Sequence, residues 1–178
     1  MSDPDVAPGQ RTRDPITAEE RALVERQLGR PPRAVVAVAH RCPCGQPDVV
    51  QTAPRLEDGT PFPTLYYLTC PRANAAASRL ESAGRMREWQ DHLATDPELA
   101  AAYRAAHEAY LAERDAQDVL PTRSTAGGMP DRVKCLHALA AHALAAGPGG
   151  NPIGDRAVAG MGAWWSAGPC ARPAGGAP

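Results

Sequence analysis

The sequence predicts an α+β fold: a small antiparallel sheet of about three strands followed by a helical layer of four to five helices. Two observations predict it. Segments rich in β-branched and aromatic residues are confined to positions 33–69, where turn signals separate them. After Cys70 the chain is alanine-rich, carries helical periodicity, and is punctuated by Pro and Gly.

Each element has its own signal. Residues 1–13 are polar, contain Pro and Gly, and lack periodicity, so they read as a disordered tail. Thr17-Ala18-Glu19-Glu20 has capping-box spacing, and a helix should run to about Leu28, stopped by Gly29. Arg33 to Cys42 reads as a strand through Val35, Val36 and Val38. Gly45-Gln46-Pro47 turns the chain into a second strand, Asp48 to Thr52. Glu57-Asp58-Gly59-Thr60 is a further turn. Thr64 to Thr69 is the clearest strand.

Pro71 suits a first helical turn, and that helix should reach about Gly84. Met86 to Ala94 forms another. Asp96-Pro97-Glu98 caps a third, with Leu99, Tyr103, Ala106 and Tyr110 on its core face. Its other side, with Arg104, Glu108, Glu113 and Arg114, reads as solvated. A helix over about Pro130 to Ala146 and a short one within 153–165 complete a single domain, 14–165. Residues 166–178 read as a second disordered tail.

Composition bounds function. A chain of 178 residues fits one domain with tails. The net charge of −1 and dispersed arginines argue against nucleic-acid binding. No apolar run is long enough to span a bilayer. The acidic start, Met1 to Asp5, is unlike a signal peptide, so a cytoplasmic location is expected. The 43% hydrophobic content is inflated by alanine and includes one Phe. Alanine adds little burial energy, so a metal cross-link would help such a thin core.

The chemistry lies in the cysteines. Cys42 and Cys44 flank a tight turn, Cys70 ends a strand, and Cys135 opens a helix. Cys170 lies in the Gly/Pro-rich tail and is left out of the site. In an extended strand His40, Cys42 and Cys44 share a face, at roughly 6.5 Å spacing. Cys42-Pro43-Cys44-Gly45 resembles half of a zinc knuckle, one residue short of the common spacing. A helix N-terminus lowers the pKa of Cys70 and, more weakly, of Cys135. If both are helical, Cys135 and His137 differ by about 200° and share no ion unless the helix begins later. Cys135 and His142 sit about 10.5 Å apart along the axis.

The expected ligand set is therefore Cys42, Cys44, Cys70 and Cys135, with His40 in reserve and His137 more distant. The ion would be a structural zinc or, secondarily, an iron–sulfur centre. A Cys42–Cys44 redox pair, or ordinary buried cysteines, are the alternatives. Arg72 and Asn74 follow Cys70, and Lys134, the sole lysine, precedes Cys135. Together they suggest a small-anion site, against the alternative of capped, solvated helix starts. An enzyme would use Cys70 as nucleophile and His137 or His142 as base. His92 and His107 read as surface residues.

Four segments carry a family resemblance: Arg41 to Val50, Pro61 to Pro71, Gly128 to His142, and Asn151-Pro152-Ile153-Gly154. They resemble the bacterial, mainly actinobacterial, domain-of-unknown-function family 501, over roughly residues 20–160. The family brings no established activity to transfer. Its members often lie near cell-division and central-metabolism genes, which implies by association a cell-division partner or a scaffold role without a site.

Overall fold

A computed structural model describes residues 9–172. Helix α1 (Ala18–Leu28) begins where Thr17 accepts the Glu20 N–H and Glu20 reaches back to the Thr17 N–H. Gly29 ends it at φ 68°. Strands β2 (Val35–Arg41), β3 (Pro47–Thr52) and β4 (Tyr66–Leu68) form where the β-branched and aromatic runs predict them. A short β1 (Gln10–Arg11) joins the edge, giving one antiparallel sheet in the order β1-β2-β3-β4. Helices α2 (Pro71–Ser82), α3 (Arg85–Thr95), α4 (Pro97–Asp115), α5 (Leu136–Ala146) and α6 (Pro152–Met161) follow. The α+β expectation holds. None of the described helices is long and apolar enough to cross a membrane.

The sheet buries both faces. On one, Val24 of α1 packs with Val35 and Val50. On the other, Val49 and Leu68 join Leu136, Leu139, Tyr103 and Tyr110 in the main core. Helix α5 is alanine-rich and buried along nearly its whole length. Small side chains let α6 approach closely: a Cβ on Gly154 would lie 2.2 Å from the Leu139 carbonyl oxygen.

Several expectations are corrected. Residues 9–13 are not a loose tail. Gln10 and Arg11 pair with Arg41 and His40, and the Thr12 N–H donates to Ala39. β2 would otherwise be a bare edge, and β1 satisfies its backbone groups. Residues 1–8 and 173–178 lie outside the described residues. Residues 166–172 fold back on the domain, with Ala171 bonded to Gln46. The helix expected from Pro130 begins only at Leu136. Before it, Arg132 and Lys134 N–H groups donate to Gly128 and Gly127, and the Val133 N–H donates to Gln90. Gly128, at φ 95°, supplies the left-handed residue this loop needs.

Two residues placed on solvated surfaces are buried. Arg114 is 1% exposed and donates to the Ser124 and Thr122 carbonyls, at 2.7 Å each. His107 is buried against Thr125. The loop after α4 folds back over both, and local periodicity carries no trace of it.

Candidate functional site

The late start of α5 reorganises the site. Cys135 is the extended N-cap residue of α5, and His137 stands in the first turn. The helical-wheel objection to their sharing an ion therefore falls away. Cys135 Sγ lies 3.9 Å from His137 Nδ1. Glu81, in the last turn of α2, completes the group. Its Oε1 lies 3.1 Å from His137 Nδ1 and accepts the Leu136 N–H at 2.8 Å. Glu81 thus caps α5 from a neighbouring helix, a role the Cys135 side chain does not take.

One ligand atom from each of Glu81, Cys135 and His137 lies within 4.8 Å of the others. The Nδ1–Oε1 and Nδ1–Sγ spacings, 3.1 and 3.9 Å, bracket the edge of a zinc tetrahedron, about 3.3–3.8 Å from ordinary Zn–N, Zn–O and Zn–S bonds. On its far side, His137 Nε2 lies 3.1 Å from the Asn74 carbonyl and 3.1 Å from Ser78 Oγ. An Nε2–H donated to Asn74 leaves the Nδ1 lone pair facing Cys135 and Glu81. That is the outer-shell arrangement that fixes a ligating imidazole. The group is partly exposed, with the His137 and Glu81 side chains 27% and 24% accessible. Donors of this mixed N, O and S character suit zinc.

Other predicted residues fall elsewhere. Cys42, Cys44 and Cys70 lie at one end of the sheet. Cys70 is the N-cap residue of α2, while Cys135 sits beside Glu81, eleven residues further along that helix. That is about 16 Å of axis, so the structure does not bring Cys135 to the other three. Cys42 is buried and its thiol pushed up to about 12, chiefly by burial, with Asp48 and Cys44 adding to it. Cys70, expected to be lowered by the α2 N-terminus, is instead raised, first by the Cys170 thiol and then by burial, which outweigh the helix end. Cys170, set aside on sequence grounds, is therefore the residue Cys70 meets.

His40 is buried, with Nδ1 2.6 Å from Asp48 Oδ1. Burial raises the Asp48 carboxyl, and His40 opposes that shift. His40 is also one wall of a cleft of about 630 Å³ shared with Arg11, Arg13 and Asp155. His142 is a core residue. It stacks on Tyr66, meets Tyr110 edge-on, and pairs Nδ1 with the Asn151 amide at 3.0 Å. Burial lowers its pKa to about 4, so its ring accepts from Asn151 as a neutral imidazole. His137 and His142 bond to these partners and not to Cys70.

The anion set is also dispersed. Arg72 Nη1 donates to the Gly168 carbonyl. The Asn74 amide donates to Leu68 and Cys70 carbonyls at 3.0 Å each. Lys134 is exposed at the opposite end of α2, beside Cys135. Sequence reasoning missed Glu81 because the pairing of α2 with α5 is tertiary. The Cys135-x-His137 spacing was the available signal, and the early helix start hid it.

Neither the curated proteins nor the solved structures contain a match to this chain. A family model does match, over residues 38–159, and that span includes Cys42, Cys44, Cys70, Glu81, Cys135 and His137 but not Cys170. It is the model of a family described as proteins of unknown function, and the chain belongs to that family, DUF501.

Proposed function

We propose that this chain is a metal-binding module that holds zinc at Cys135, His137 and Glu81. The observation that carries the reading is the convergence of three donor atoms of different chemistry within 4.8 Å. Thiolate, imidazole and carboxylate leave the fourth position of a tetrahedron to water or to a donor from a partner. The ion would link the end of α2 to the start of α5, two helices already joined through Glu81. Metal binding displaces the Cys135 proton. A regulatory role follows from the open position: a ligand that supplies the fourth donor senses whether metal is present.

Elemental analysis of chain purified without chelators tests this. Cys135→Ser and His137→Ala should each lower zinc content by one equivalent, while His92→Ala leaves it unchanged. Undiminished zinc in both of the first two variants would sink the reading.

A further inference from the structure

We propose that the cleft between β1 and the α5–α6 loop binds a small zwitterion, an aliphatic α-amino acid. Arg11 receives its carboxylate, Asp155 receives its ammonium group, and His40 supplies a third polar contact. The cleft shares no residue with the Glu81, Cys135 and His137 group, so the proposal goes beyond the zinc reading and does not rest on it.

Strand pairing and one loop bring the three side chains together. Arg11 stands opposite His40 in the β1–β2 ladder, so both side chains leave the same face of the sheet. That face meets the end of α5, where Arg11 Nη1 donates to the Ala146 carbonyl at 2.6 Å. Capping α5 in this way leaves most of the five guanidinium N–H groups for other partners. The guanidinium lies against Gly147: a Cβ built there would stand 2.9 Å from Arg11 Nε. Two residues on, the Gly149 N–H donates to Asp155 Oδ2 at 2.9 Å. Two residues of backbone span at most about 7 Å, so Arg11 and Asp155 are fixed to the same short loop.

Charge decides what the cleft accepts. Arg13, which also lines it, is already paired with Glu113 at 2.9 Å. Among the described residues Arg11 and Asp155 are in no ion pair, with each other or with a third group; each is held by its own backbone partner. Burial raises the Asp155 carboxyl, the Gly149 N–H opposes that shift, and no cation takes part. The cleft therefore offers one uncommitted positive group and one uncommitted negative group. A plain anion meets repulsion from Asp155, and a plain cation meets it from Arg11. A molecule with both signs on one carbon satisfies both.

His40 adds a built-in polar contact. It is only 3% exposed, and its Nδ1 lies 2.6 Å from the fully buried Asp48, which fixes the ring. Nε2 has no hydrogen-bond partner among the described residues, and the ring forms part of the cleft wall. With Nδ1–H given to Asp48, Nε2 presents a lone pair that can accept from an ammonium group. Leu144, Pro148 and Val158 make the remaining wall apolar, which suits an aliphatic side chain. The volume of about 630 Å³ lies within the range of small-molecule sites, about 300–1,000 Å³.

Isothermal titration calorimetry and NMR of the full chain test this, with L-leucine and L-valine as probes. We expect saturable binding, with shifts at the Gly147 and Gly149 amides and the His40 ring and none at the His92 ring on α3. The analogues 4-methylpentanoate, which lacks the ammonium group, and 3-methylbutylamine, which lacks the carboxylate, should each bind about tenfold or more weakly than L-leucine. Asp155→Asn keeps an acceptor for Gly149, and Arg11→Gln keeps a donor for Ala146. Each should weaken L-leucine binding about tenfold or more while circular dichroism stays native. Three results overturn the proposal: no saturable binding of either amino acid, an analogue that binds as tightly as L-leucine, or undiminished binding by both folded variants. If a variant fails to fold, the analogue titrations on the native chain decide by themselves. None of these measurements reads zinc content, so failure here leaves the Cys135 site to its own test.

Discussion

Arg114 shows how much a single buried side chain can hold. Its guanidinium satisfies two loop carbonyls and the Asp115 carboxylate. Arg114→Ala leaves these acceptors unpaired under a loop, and should cost about 2–4 kcal/mol in urea denaturation. Arg104→Ala removes only an exposed ion pair with Asp131 and should change stability by less than about 0.5 kcal/mol. His142 predicts a pH dependence. In the unfolded chain it takes a proton below about pH 6.5, whereas the folded ring stays neutral until about 4. Protons therefore favour the unfolded state between those values, and stability falls as pH drops from 6.5 toward 4. Tyr66, Tyr110 and Asn151 surround the ring, and Glu113 is the charged group that opposes the shift. The full effect is on the order of 3 kcal/mol. Urea midpoints at pH 6.5 and 5.5 should differ in the native chain, and His142→Gln should flatten that difference.

At the scale of elements, the junction of α2 with α5 is the informative one. Glu81 does two jobs there: it caps α5 through the Leu136 N–H and offers a donor beside Cys135 and His137. Substitutions can separate them. Glu81→Gln keeps an acceptor for the cap but loses the charged ligand, so metal-free stability should stay near native while zinc affinity falls. Glu81→Ala loses both, and should destabilise the metal-free domain by about 1–2 kcal/mol. Equal metal-free stability of the two variants in thermal melts would show that the cap contributes nothing. Pro130 followed by an apolar period has the local signature of a helix N-terminus, yet α5 starts only at Leu136. What overrides it is Gln90, together with the Gly127 and Gly128 carbonyls, which hold the backbone of residues 132–134 out of helix.

At the scale of the whole molecule, both ends of the described chain return to the sheet. β1 covers the edge of β2, and residues 168–171 lie over the turn that follows it. This predicts the order of thiol reactivity in metal-free protein. Cys70 is 1% exposed and its thiol is raised, so it should resist alkylation, while Cys135 reacts early. Ending the chain at Trp165 removes Cys170 and its neighbours and should open Cys70 to alkylation, as read by mass spectrometry of the peptides. Unchanged protection of Cys70 would mean that the core alone shields it.

The sequence by itself determined the α+β class, the three main strands and most helix boundaries, because these rest on local propensity, capping and periodicity. It also singled out Cys42, Cys44, Cys70 and Cys135 as chemically distinctive. The partnership of those cysteines came from the tertiary structure. Cys135 meets Glu81 because α5 packs on α2, and Cys70 meets Cys170 because Gln27, Gln46 and Arg72 hold the C-terminal segment. Each such contact joins residues more than fifty positions apart. Local signals report where a chain bends and which face is apolar, whereas side chains from distant segments meet only when packing chooses among the arrangements those signals allow.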